Sequence, residues 1–149
     1  MSFAADFPDT YAKLKREERD TRAVIGSDQC IIDQKLFFIR GCLEIPIIGS
    51  AEPFLWGLWA VVREAVFDEI EACWELQGRE QTREPYKGRL NNTLSIYPET
   101  FNLKLRIVMQ PVGTRPLFFI EEEQQLAFEQ LHGITASRAQ ELACLLLHS

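Results

Sequence analysis

Two histidines, four cysteines, and an arginine and a glutamate inside one apolar run are the places where this chain could do chemistry. His132 and His148 have no metal-ligand neighbour at useful spacing, neither a second histidine at i+4 nor a CxxC pair. Cys30, Cys42, Cys73 and Cys144 are widely spaced and read as reduced core residues. A Cys–His nucleophile would need those side chains to meet in space, and no local signature favours it. GxSxG, GxGxxG and phosphate-cradling glycine loops are absent. No metal and no cofactor are expected.

Arg40 and Glu44 are more informative. On a strand they share a face and straddle Cys42. Charges in so apolar a run must be exposed on an open face or paired. As a functional feature they would form a polar pocket floor beside Trp56 or Trp59. As a structural one they would form an ion pair, with Glu44 the expected partner of Arg40. A second polar set, Asn91, Asn92, Tyr97 and Arg115, lies beside predicted strand ends, where sites are often built. Turn chemistry accounts for the asparagines equally well. These residues are the candidate binding set, and no catalytic residue is assigned.

The elements that must position them begin with Phe37–Trp59, FFIRGCLEIPIIGSAEPFLWGLW. At period two, Phe37, Ile39, Gly41, Leu43, Ile45 and Ile47 share one strand face, and Phe38, Arg40, Cys42 and Glu44 the other. Pro46 marks the strand's end or a bulge. Residues 49–53 form a turn, and a strand with two apolar faces follows from Phe54 to Val62. The short connection favours an antiparallel hairpin. Gly57 between two tryptophans implies a close backbone approach or a bulge.

Upstream, Pro8–Arg19 reads as a short helix with a thin stripe of Tyr11 and Leu14, and Cys30–Asp33 as extended. Downstream, Val66, Phe67, Ile70, Cys73 and Trp74 predict an amphipathic helix over Glu64–Gln77, with Gly78 as its C-cap. A polar connection at Arg79–Glu84 precedes strands at Tyr86–Leu94, Leu103–Met109 and Leu117–Glu121, with turns at Tyr97–Thr100 and Pro111–Thr114. Gln124–Leu131 predicts a helical turn. The last helix, Thr135–Leu147, has Thr135 as N-cap, an Ile134–Ala139 staple, and a buried stripe of Ala139, Leu142, Ala143 and Leu146.

At 149 residues, 46% apolar and 26% charged, the chain is expected to form one domain, 1–149, with a core that needs neither disulfide nor metal. Its longest apolar runs are far short of a membrane span, so no membrane partner is expected. The start, MSFAADFPD, lacks the basic and apolar regions of a signal peptide, which points to the cytoplasm. A net charge of −6 opposes nucleic-acid binding.

FFIRGCLEIPI (Phe37–Ile47), PFLWGLW (Pro53–Trp59), YPETFNLKLR (Tyr97–Arg106), GTRPLFFIE (Gly113–Glu121) and GITASRAQELACLLLH (Gly133–His148) resemble the bacterial domain-of-unknown-function family 2199. The resemblance covers nearly the whole chain and brings no known activity. It implies a CxxCG zinc-ribbon-like segment before the part equivalent to Phe3 in many members, after which this chain is expected to start, so that no metal role carries over. It also implies a His-Pro-Leu-Ala segment near Gln124–Ala127, where Gln124 replaces the histidine.

The expected fold is α+β: a largely antiparallel sheet of five or six strands packed with two main helices. The expected function is a non-enzymatic protein-binding module. Acids on the Glu64–Gln77 helix and at Glu121–Glu123 suit a basic protein partner. One concrete form is an immunity-type protein that blocks a cationic toxin. The alternative is an enzyme or small-ligand binder using a polar cleft near Arg40 and Glu44.

Overall fold

In the computed structural model, which describes residues 1–82, 84–97 and 99–148, the alternating FFIRGCLEI run forms β4, Leu36–Ile45. Pro46, with no N–H to donate, ends it. After the turn, β5, Phe54–Val62, returns antiparallel in unbroken register, from Ile45 opposite Phe54 to Phe37 opposite Val62. The hairpin lies where the sequence puts it.

The sheet around the hairpin differs from the expected one, because it closes. β6 (Tyr86–Leu90), β7 (Lys104–Val108) and β8 (Leu117–Ile120) continue from β5 as an antiparallel meander. β8 then pairs in parallel with β4, Leu117 against Cys42. Five strands make a barrel, and three more extend it: β1 (Ser2–Ala4), β2 (Ala23–Ile25) and β3 (Gln29–Ile32). Among the described residues the chain is a mixed α+β fold of eight strands and six helices. The physical reason is the length of β4 and β5. Each carries the other along one edge and two partners along the opposite edge. β4 takes β3 at Leu36–Ile39 and β8 at Cys42. β5 takes β1 at Leu55–Gly57 and β6 at Ala60–Val61. Closure removes edges that would otherwise expose unpaired backbone.

The inward face is the predicted one: Ile39, Leu43 and Ile45 meet Trp56, Leu58, Leu105, Ile107 and Phe118. A five-stranded barrel is narrow, and a Cβ on Gly41 would stand 2.4 Å from the Phe118 ring, so the glycine makes room for the phenyl group. Gly57 makes room on the outside, where its Cβ would lie 3.1 Å from that of Ala4 in β1. A second cluster, Tyr11, Cys30, Ile32, Phe38 and Trp59, packs on the outer face.

Several boundaries move for local reasons. The helix expected over Pro8–Arg19 is two pieces, α1 (Asp9–Ala12) and α2 (Arg16–Arg22). Glu18 accepts the Lys15 N–H at 2.9 Å and so starts a new helix. α3 is Glu64–Ala72 and stops five residues before Gln77. Past that point Trp74 gives its carbonyl to Arg79. Gly78, at φ 81°, precedes a short α4 (Arg79–Thr82) where a polar connection was expected. β6 ends at Leu90 rather than Leu94, and Pro98 of the expected Tyr97–Thr100 turn lies outside the described residues. α5 (Gln125–His132) and α6 (Ala136–Leu147) follow. Thr135 caps α6 as predicted, accepting from Arg138 N at 3.0 Å, and Ile134 and Ala139 are both buried. All four cysteines are free; Cys30 and Cys73 are buried and Cys42 partly so, but Cys144 is exposed on α6, contrary to the core reading. No described helix is long and apolar enough to cross a membrane.

Candidate functional site

Arg40 and Glu44 do not pair. Four residues along a strand is about 13 Å, beyond the reach of a direct ion pair held by two side chains on one straight face. Arg40 instead folds over the Trp59 ring, 5.4 Å from its centroid, and donates to the carbonyls of Ala5 (2.9 Å) and Ser27 (3.4 Å). Glu44 stays half-buried opposite Leu55. Trp56 and Trp59, two of the candidate residues, are both buried but on opposite sides of β5. Trp56 points into the barrel beside Phe54 and Tyr97. Trp59 is fully buried outside it and donates Nε1–H to Ala5 O at 3.1 Å.

Asn91 and Asn92 fasten the N-terminal segment to the barrel. Asn91 Oδ1 accepts from Thr10 N, and Asn91 O from Asp9 N. Asn92 Oδ1 accepts from Trp59 N at 2.8 Å, while its Nδ2 donates to Phe7 O and Asp9 Oδ1. Both are buried with these partners in place, which makes them structural pins.

Tyr97 belongs to a network that sequence reading did not find. Its hydroxyl donates to Glu129 Oε2 at 2.5 Å, and Arg138 Nε donates to Glu129 Oε1 at 2.9 Å. Burial, and then the Glu129 carboxylate, push the Tyr97 phenol far above its usual range. For Arg138, burial opposes the charge, but Glu129 outweighs it and holds the guanidinium above its ordinary value. This joins the loop after β6, α5 and α6 around one buried carboxylate. Its signal in the sequence was Glu129 at i+3 from the core residue Leu126, a charge on the buried side of α5.

Two concave places stand out among the described residues. The first is an open cleft of about 550 Å³, lined among others by Asp28, Cys42, Trp74, Arg79 and Arg115. Of the candidate set it contains only Arg115, whose Nε donates to Asp28 Oδ1 at 2.7 Å. Arg79 is 1% exposed and donates to the carbonyls of Trp74, Gln110, Pro111 and Thr114, which fixes the wall that carries Arg115. Burial pushes the Cys42 thiol above its ordinary value, so at neutral pH it is a neutral group and a poor nucleophile.

The second is a shallow groove of about 740 Å³ along α5, lined by Glu121, Glu122, Glu123, Phe128, Leu131 and His132 with their neighbours. Phe128 is 63% exposed and Leu131 79%. The helix faces this way because its other side is anchored. Leu126 is buried, Glu129 is held by Tyr97 and Arg138, and Gln130 bonds both Ile120 N and Phe118 O on β8. Gln124, which stands where the resemblance implies a histidine, caps α5 by accepting from Leu126 N.

The geometry defines a small five-stranded barrel flanked by helices, with a pinned N-terminus, a guanidinium-lined cleft and an acidic, apolar helix face. Residues 1–134 match a family described as an uncharacterized protein conserved in bacteria (DUF2199), and the chain belongs to that family. No match is found among the curated proteins or the solved structures.

Proposed function

We propose that the chain is a non-enzymatic protein-binding module whose α5 face grips a basic partner segment with an apolar anchor. The observation that carries this is the exposure of Phe128 and Leu131 beside Glu121, Glu122 and Glu123. An apolar centre with a charged rim is the anatomy of a recognition surface, and a rim of one sign selects the opposite sign. A second copy of this chain is disfavoured as the occupant, since a twofold contact would set the same acids against themselves. An immunity-type role against a cationic toxin is one form of this reading.

The test uses a fluorescent amphipathic Lys/Leu peptide and its Glu/Leu counterpart in anisotropy titrations. The Lys/Leu peptide is expected to bind, more weakly at higher salt, and the Glu/Leu peptide is not. Phe128→Ser with Leu131→Ser should abolish binding without unfolding the protein. Equal binding of both peptides, or binding that survives the double substitution, overturns the reading. So does a concentration-dependent dimer that the double substitution breaks, which would assign the face to a second copy. The immunity form further requires a toxin gene beside this one and protection of cells that express both.

A further inference from the structure

In a chain whose acids outnumber its bases by 22 to 16, the cleft gathers cations with few direct counter-ions. Arg115 spends only Nε on Asp28, and Nη1 and Nη2 bond no described residue. Neighbouring Arg40 donates only to carbonyls, and its buried Nε has no partner. Arg79 likewise has four carbonyl acceptors and no carboxylate. Asp6, near Arg40, and Glu75, in the cleft lining, form no ion pair with any of the three. Burial first, and then the charge of Arg115, hold Arg40 below its usual range despite the opposing pull of Asp6 and Asp28. Two guanidinium groups therefore repel one another beside the hollow.

We propose that this cleft binds a small organic carboxylate, with its carboxylate on the Nη fork of Arg115 and its apolar body against Phe3, Leu55 and Trp74. The planar fork of a guanidinium matches a carboxylate in two parallel hydrogen bonds, and Asp28 on Nε fixes the direction in which that fork points. The hollow falls in the size class of small-ligand sites, roughly 300–1,000 Å³. A free phosphate would use the same fork and the Ser2 and Thr114 hydroxyls but would leave Phe3, Leu55 and Trp74 uncovered, which an apolar body fills. Cys42 also lies in the lining, where burial holds its thiol above the ordinary value. This inference does not depend on the α5 face, which shares no lining residue with the cleft.

The experiment is a tryptophan-fluorescence titration with phenylacetate, phenylacetamide and inorganic phosphate. Trp56 and Trp59 are buried, so Trp74 supplies the responsive signal, and Trp74→Phe identifies it. Phenylacetate should give a saturable change, weakened about tenfold by Arg115→Gln and by replacement with the neutral amide. Phe128→Ser should leave the response unchanged. Arg115→Gln should fold normally, because the Arg115–Asp28 pair lies at the surface, where ion pairs add little to stability. Should it fail to fold, Asp28→Asn, which releases the fork, is expected to weaken binding in its place. No change at about 20 mM phenylacetate, far above a millimolar Kd, overturns the proposal. Equal binding of the amide, or equal or tighter binding of phosphate, overturns it as well.

Discussion

The cleft and the α5 face are each built on one buried charge, but the two charges are satisfied in opposite ways. Behind the cleft, the Arg79 guanidinium meets only backbone carbonyls. Behind the face, the Glu129 carboxylate meets only side chains, Tyr97 and Arg138. The contrast follows from donor geometry. A guanidinium spreads five N–H groups round a plane, so a curled loop of carbonyls can solvate it without a counter-ion. A carboxylate needs donors, and inside α5 the backbone N–H groups around Glu129 are spent on the helix, so its donors are side chains from outside α5. Both ties join distant parts of the chain, residues 74–79 to residues 110–114 and Tyr97 through Glu129 to Arg138, so what distinguishes them is that one charge is met by backbone and the other by side chains.

Removing each charge tests that contrast, and the cleft should suffer more. Arg79→Ala leaves four carbonyls without their donor and is expected to cost about 3–5 kcal/mol in urea unfolding. Arg79→Lys should recover part of this, since three donors on a flexible stem cannot replace a rigid fork. A loss below about 1 kcal/mol for Arg79→Ala would mean that water substitutes freely and that the wall is not held by this residue. Glu129→Ala should cost less, about 2–3 kcal/mol, because Arg138 is partly exposed and keeps Glu141 at 2.6 Å. Equal losses at the two positions would erase the distinction between a charge met by backbone and one met by side chains.

How far each region was legible in the sequence depends on how close in the chain its signals lie. The acids of the face are contiguous, Glu121–Glu123, and were read directly; Phe128 and Leu131 were placed in a helical turn but not recognised as exposed. The hairpin was legible because its signals, alternation, Pro46 and a short turn, are all local. Barrel closure was not, because it rests on Leu117 meeting Cys42 across the whole meander. The cleft was invisible for a similar reason, since Asp28, Cys42, Trp74, Arg79 and Arg115 come from separate segments. Arg79 looked like part of a polar connection, and nothing near it in sequence announces that it is buried. Asn91 and Asn92 were noticed as polar residues beside a strand end, but their N-terminal partners are more than eighty positions away.

Alkaline pH separates the two regions by a smaller amount. Tyr97 keeps its proton in the folded chain well beyond the ordinary tyrosine value of 10.0, because burial and Glu129 both oppose the phenolate. The folded state thus binds a proton that the unfolded state releases. The associated stability is complete below about pH 10 and is lost as pH rises toward the folded value. Cys30, buried in the outer cluster and pushed up to about 11 from 9.0, adds a loss of the same sign between those values. Melting temperatures measured from pH 9 to 11 should therefore fall for the wild type, and fall less steeply for Tyr97→Phe. Parallel slopes would show that the Tyr97–Glu129 hydrogen bond does not carry this proton linkage.

The smallest expected effect concerns the pair that sequence spacing favours and the fold separates. Arg40 and Glu44 share a strand face, yet Arg40 stacks on Trp59 and bonds Ala5 while Glu44 stays opposite Leu55. Arg138 and Glu129, on different helices, are in contact at 2.9 Å. Double-mutant cycles to alanine put the two on one scale. The Arg138–Glu129 cycle should give a coupling of about 1–2 kcal/mol, as residues sharing a hydrogen-bonded network do. The Arg40–Glu44 cycle should give less than about 0.5 kcal/mol, the error expected of independent sites. Arg40→Ala alone should still cost about 1 kcal/mol, since it removes the stacking on Trp59 and leaves Ala5 O with one donor fewer. Glu44→Ala should be nearly silent. A coupling between Arg40 and Glu44 as large as that of the helix pair would contradict the strand geometry, and it would return the floor of the hairpin's outer face to the list of ion-paired sites.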